Sequence, residues 1–388
     1  MASKSFLNGY LPHNSVRLVK GGREYFELLN RMISEAKYSI HLQVYIFDED
    51  ETGKRVAQSL IDAAKKNVQV HVLIDSYASQ NITDEFIGQL LKAGIRFRKF
   101  EPLLKSKHFY FGRRLHHKVI VVDGLYGMVG GMNISNRYND MPEKTAWLDW
   151  AIYGEGDMAA VLERICIRRM GHRKVKMATR PPKDLHAKVQ EENCDVRVRE
   201  NDWVRRKREI YKSYLQMFRH STSHIIIMSP YFLPGNEFRR NMRLAKKRGV
   251  KIQLILAGIS DIYLSKHAER FVYRWLLKNR IEIYEYQKTV LHGKMAVCDD
   301  EWITAGSFNV NDLSAHASVE LNVDVKNAHF AKLVAGRLTE IIKTDCVCIT
   351  PSVYKQNTNV FNRVVQRLAY DFFRLVLFLF TFYFRQRE

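Results

Sequence analysis

Two stretches of this chain match one another and decide its fold: HHKVIVVDGLYGMVGGMN (116–133) and HGKMAVCDDEWITAGSFN (292–309). Superposed, the first supplies His116, Lys118, Asp123, Gly130, Gly131 and Asn133, and the second supplies His292, Lys294, Asp299, Gly306, Ser307 and Asn309 at the same offsets. A motif present once in each half signals a duplicated structural unit. The segments in front of each copy repeat as well. Residues 22–37 and 202–219 have helical spacing and lead into apolar strands, SIHLQVYIF (39–47) and HIIIMSPYFLP (224–234). The first half continues with a helix near 54–66, a strand at 68–75, a helix near 84–93 and a strand at 95–100. The second continues with a helix near 236–248, a strand at 250–257, a helix near 266–278 and a strand at 281–286. From Ser39 to Phe100 is 61 positions, and from His224 to Tyr286 is 62. Short apolar strands alternating with helices predict an α/β fold with largely buried strands.

The expected organisation is an N-terminal segment (1–15), a first lobe (16–175), a linker (176–200), a second lobe (201–350) and a C-terminal tail (351–388). Approximate two-fold symmetry would bring the two motifs to one shared site. The halves differ in one place. Phe100 precedes His116 by 16 residues, whereas Tyr286 precedes His292 by 6, so the first half carries a basic, aromatic insertion within EPLLKSKHFYFGRRL (101–115).

In an extended H-x-K segment, residues i and i+2 point to the same side, so imidazole and ammonium project together. Two such sets plus Asn133 and Asn309 give two imidazoles, two ammonium groups and two amides around one point. That set suits a phosphodiester. The lysines and amides can hold the non-bridging oxygens as charge builds. One neutral histidine can attack phosphorus, and the other, protonated, can supply the leaving oxygen. The chemistry calls for no metal and no cofactor. Asp123 and Asp299, at i+7 near a turn, fall on the opposite face and read as structural.

The charge balance, 62 Lys+Arg against 41 Asp+Glu for a formal +21, implies a polyanionic partner. The five cysteines are scattered without C-x-x-C spacing, which argues against zinc and for a reducing compartment. The first residues lack the apolar core of a signal peptide.

The two motifs resemble the paired HKD signatures of the phospholipase D superfamily, a resemblance spanning about residues 39–325. It implies two phospholipase D-like α/β lobes related by pseudo-two-fold symmetry around a single active site. The family pattern also has an acidic residue roughly thirty positions after each motif histidine that orients an active-site histidine; Asp149 and Glu320 stand at 33 and 28. Within the superfamily, YIFDED, LIDSYAS, GGMNISNRY and PYFLP are most similar to bacterial cardiolipin synthases. That family moves a phosphatidyl group to the hydroxyl of another lipid, typically phosphatidylglycerol, with the N-terminal-motif histidine usually the nucleophile. Phospholipid substrates, an anionic membrane and a peripheral place on the cytoplasmic side of the bacterial membrane follow from the resemblance. The pattern departs at Gly131, where many members have the serine that Ser307 retains, so the two half-sites are not equivalent.

Two segments fit a lipid surface. In the insertion, Lys105, Lys107, Arg113 and Arg114 surround Phe109, Tyr110 and Phe111, a mixture suited to headgroups. In the tail (361–388), Arg363, Arg367, Asp371 and Arg374 form a polar stripe, with Val364, Val365, Leu368, Phe372 and Leu375 on the other face. Such a helix lies in a membrane interface or docks on the protein or in a homo-oligomer. Phospholipase D-type hydrolysis and nucleic-acid cleavage remain the rival activities, although no nucleic-acid-binding module stands out.

Overall fold

The computed structural model describes residues 9–101, 113–171, 191–311 and 318–385. The first half builds β1 (Leu11–Lys20), α1 (Arg23–Glu35), β2 (Ser39–Val44), α2 (Glu51–Lys65), β3 (Gln69–Asp75), α3 (Asp84–Lys92) and β4 (Arg96–Phe100). A short β5 (Arg114–Leu115) leads to β6 (Lys118–Val122), β7 (Tyr126–Gly130), β8 (Trp150–Gly156) and α4 (Asp157–Met170). The second half opens with β9 (Glu191–Asp202) and β10 (Lys207–Arg208), followed by α5 (Glu209–His220), β11 (His224–Ser229), α6 (Asn236–Lys247), β12 (Lys251–Ala257), α7 (Tyr263–Lys278) and β13 (Glu282–Tyr286). It closes with β14 (Met295–Cys298), β15 (Trp302–Gly306), β16 (Ser318–Lys326), α8 (Ala328–Asp345), β17 (Cys346–Cys348), α9 (Pro351–Gln356) and α10 (Val360–Arg385).

The strands pair in the order β4-β3-β2-β6-β7-β8-β1 in the first half and β13-β12-β11-β14-β15-β16-β9 in the second. The two series are the same plan, with three parallel strands running into an antiparallel meander. They meet where β1 pairs antiparallel with β9, so the pseudo-two-fold axis passes through that ladder. The two-lobe α/β expectation holds. Parallel strands joined through helices are buried on both faces, which is why β2 reads SIHLQV without a solvent-facing position. One apolar cluster packs α1 and α2 on the first sheet, and a second packs α5, α6 and α7 on the other sheet. A third, under α4 and α8, draws on both lobes.

The sequence reading missed the two strands at the junction. Residues 11–15 read as terminal segment and 191–200 as linker, yet β1 starts at Leu11 and β9 at Glu191. The helix expected from residue 202 begins at Glu209, because β9 continues to Asp202. Alternating charges in EENCDVRVREND look solvent-facing, but Arg197, Glu200 and Asp202 are buried in ion pairs.

Candidate active site

Each motif sits on the extended approach to a strand, β6 or β14, and crosses to the other lobe for its support. His116 is held by the second half: its backbone N–H donates to Val319 O at 3.0 Å, and its Nδ1 lies 2.9 Å from Glu320 Oε2 on β16. His292 is held by the first half: its N–H donates to Leu148 O at 2.8 Å, and its Nδ1 lies 2.6 Å from Asp149 Oδ2, just before β8. A carboxylate on Nδ1 fixes the ring and leaves Nε2 to face the site. Among the described residues the His116 Nε2 has no hydrogen-bond partner, whereas the His292 Nε2 is 3.4 Å from the Tyr138 hydroxyl.

Lys118 and Lys294 are both buried, and each Nζ donates back to the carbonyl of the histidine two positions earlier. Burial pushes the Lys118 pKa down to about 7 and the Lys294 pKa down to about 8, against the opposing pull of Glu320 and Asp149. Burial also lowers the pKa of both histidines, that of His292 to about 4 beside the Lys294 ammonium. Burial in the site therefore disfavours positive charge, and a bound anion would restore it. The lobes share this field: the His116 pKa is lowered first by burial and also by Lys294, that of His292 also by Lys118.

The asparagines are not equivalent. Asn133 accepts from Ile46 N at 3.0 Å and donates to the Tyr138 hydroxyl at 2.8 Å, so its amide braces the wall of the site. Asn309 is buried, and its Oδ1 has no partner among the described residues. Gly131 and Ser307 differ for a steric reason. Ser307 Oγ donates to Glu320 Oε2 at 2.5 Å, while a Cβ on Gly131 would come within 2.4 Å of the Asp149 carboxylate. The Asp149 carboxylate, held at His292 Nδ1, occupies the space that a side chain at position 131 would need, so glycine fits there without displacing it.

Asp123 and Asp299 lie outside this cluster, both in left-handed turns. Asp123 accepts from the backbone N–H groups of Lys37, Tyr38 and Ser39 at 2.7–2.9 Å. Asp299 does the same for Thr222, Ser223 and His224 at 2.7–2.9 Å. Each ties the strand carrying the motif to the start of its neighbour.

The insertion requires a correction. Arg113 is buried, its guanidinium 3.0 Å from both Glu101 and Asp202, and so it braces the base of the insertion instead of meeting lipid. Arg114 lies 3.7 Å from Asp75 and stacks over the Tyr77 ring at 5.2 Å. Lys105, Lys107, Phe109, Tyr110 and Phe111 lie outside the described residues. Sequence reasoning assigned no role to the aromatic walls. Tyr45 packs edge-on to His116 at 4.9 Å, and Tyr138 and Trp147 pack on His292 at 5.0 and 6.0 Å. Tyr45 and Tyr138 lie in YIFDED and GGMNISNRY, segments that stood out only by resemblance.

Comparison with known proteins shows the family. The family model described as cardiolipin synthase, PLD-like domain, matches residues 29–150 and again 214–342. Cardiolipin synthase B of Escherichia coli (strain K12) is 31% identical over 368 residues, covering 93% of this chain and 88% of that protein. Cardiolipin synthase B of Salmonella typhi is 32% identical over 374 residues, covering 94% and 89%. The crystal structure of phosphatidylserine synthase from Haemophilus influenzae Rd KW20 superposes over 96% of each chain with a TM-score of 0.73 at 15% identity, a likeness of fold. With the family model matched in both halves and a relative aligned over nearly the whole length, the chain belongs to the phospholipase D superfamily, in its cardiolipin synthase family of phosphatidyltransferases.

Proposed function

We propose that the chain transfers a phosphatidyl group from phosphatidylglycerol, through a covalent phosphohistidine, to the hydroxyl of a second phosphatidylglycerol or a related lipid. The observation that carries this reading is the crossed support of the two histidines, His116 by Glu320 and His292 by Asp149, with Lys118 and Lys294 both close enough to act electrostatically on each ring. His116 is the nucleophile: its Nδ1–H donates to Glu320, so the lone pair is on Nε2, which has no hydrogen-bond partner among the described residues. His116 Nε2 bonds to phosphorus as the bond from phosphorus to the headgroup oxygen breaks. His292, protonated once the phosphodiester has neutralised its surroundings, donates its proton to the departing glycerol oxygen. The acceptor hydroxyl then returns a proton to His292 and attacks phosphorus, and His116 is released. Lys118, Lys294 and Asn309 hold the non-bridging oxygens.

The enzyme would work from the cytoplasmic face of the bacterial membrane. Among the described residues no helix is long and apolar enough to cross a membrane. The net charge and the outward apolar stripe of α10 support peripheral binding to anionic lipid.

The deciding experiment is mass spectrometry of products after incubation with phosphatidylglycerol vesicles and, in parallel, with plasmid and single-stranded DNA. Cardiolipin plus free glycerol is the expected result. Phosphatidic acid alone would make the enzyme a hydrolase, and consumption of DNA alone would make it a nuclease.

A further inference from the structure

The parallel strands of both lobes end at the active-site face, and the turns after β3 and β12 are equivalent. Tyr77 and Ile259 each stand two residues beyond the last strand residue, Asp75 or Ala257, and are 52% and 46% exposed. On the second lobe the apolar surface continues through Ile262, Tyr263 and Leu264, exposed by 47%, 77% and 40%. Scattered exposed apolar residues are ordinary, but here four fall in six consecutive positions of GISDIYL. A contiguous apolar patch of this kind marks an interaction surface.

Its place beside the site follows from Asp261, in the middle of the run. The Tyr231 hydroxyl donates to Asp261 Oδ1 at 2.5 Å. Burial lowers the Lys294 pKa, and the Asp261 carboxylate is among the charges opposing that fall. On the first lobe, Asp75 accepts from Leu115 N at 2.8 Å, directly before His116, which fixes Tyr77 to the other side of the cleft. Cations accompany the apolar rim: Arg114 lies over Tyr77 at 5.2 Å, and Arg137 lies over Trp147 at 5.5 Å.

We propose that Ile259, Ile262, Tyr263 and Leu264, with Tyr77 opposite, seat the mouth of the cleft on the surface of an anionic phospholipid bilayer. This rests on the phosphatidyl-transfer reading: a lipid whose phosphodiester reaches His116 keeps its acyl chains in the bilayer, so the cleft has to open onto it. Apolar side chains at the interface and arginines at headgroup level are the combination that such a surface rewards.

The test compares the wild-type chain with Ile259→Ser/Ile262→Ser/Tyr263→Ser/Leu264→Ser in two assays. Co-sedimentation with phosphatidylglycerol vesicles should weaken by about tenfold or more. Turnover of dihexanoylphosphatidylglycerol below its micelle concentration should stay within about twofold, since these side chains do not touch the catalytic groups. Unchanged vesicle binding overturns the proposal, and so does loss of vesicle binding together with loss of soluble turnover, which would place the segment in the site itself. A wild-type chain inactive on both lipids refutes the transfer reading, whereas the binding assay judges the docking surface by itself.

Discussion

At the scale of single residues, the most consequential feature is that two lysines are kept short of full charge. With pKa values near 7 for Lys118 and 8 for Lys294, raising the pH through that window strips the site of the positive charge that a phosphodiester needs. Below the window both ammonium groups are present; above it they are neutral. Binding of dihexanoylphosphatidylglycerol to the His116→Ala protein, which cannot turn it over, should weaken by roughly tenfold or more between about pH 6 and pH 9. Titration calorimetry near pH 7.5 in buffers of different ionisation enthalpy should show net proton uptake. Affinity that stays flat across the range, with no uptake, would mean that the lysines are charged throughout. His117 shows how much depends on direction. It stands between His116 and Lys118, yet its Nε2 lies 2.9 Å from Gln43 Oε1 in the core, and burial drives its pKa down to about 3.

At the scale of elements, α10 has three faces. Gln366 and Ala369 face the protein, Tyr370 accepts from Arg239 Nη2 at 2.9 Å, and Arg367 lies over the Phe271 ring of α7. Arg363, Arg367, Asp371 and Arg374 make the polar stripe, while Val364, Leu368, Phe372 and Leu375 remain exposed. Docking on the protein and an outward apolar stripe therefore coexist. Leu368→Ser/Phe372→Ser should lower binding to phosphatidylglycerol vesicles severalfold and change unfolding free energy by less than about 0.5 kcal/mol. A loss of stability of about 2 kcal/mol or more with vesicle binding intact would assign the stripe to the fold. The same scale shows what was legible. The parallel strands were readable because burial on both faces makes them apolar throughout, and the reactive groups because the chemistry requires them twice at fixed offsets. β9 was not, because its charges are neutralised by distant partners: Arg169 on α4 reaches Asp202 at 2.5 Å, and Arg197 reaches Asp324 on β16 at 2.9 Å. Pairs separated by tens of residues leave no periodic trace, and for that reason Arg113 was misplaced at the surface.

At the scale of the whole molecule, the site exists only where the halves meet. β16 carries the carboxylate for His116, and the residue before β8 carries the carboxylate for His292, so neither lobe holds a complete oriented histidine of its own. The β1–β9 ladder fixes this exchange, because any slip between the lobes would move each acid away from its partner ring. Such a unit should fail as a unit. In the proposed mechanism His116→Ala would remove the atom that takes the phosphatidyl group, and His292→Ala the proton that the leaving oxygen requires; either loss would block the first step. Each substitution should therefore lower kcat by about 10⁴-fold or more, and the double variant should be no slower than the worse single one. Multiplicative losses in the double variant would show that the two rings act on separate steps at separate places. A single variant that keeps wild-type turnover would leave the shared site without its chemistry. Phosphohistidine, trapped by acid-free quenching of a donor labelled at phosphorus, should vanish with His116→Ala and persist or accumulate in a protein in which only the acceptor step is slowed.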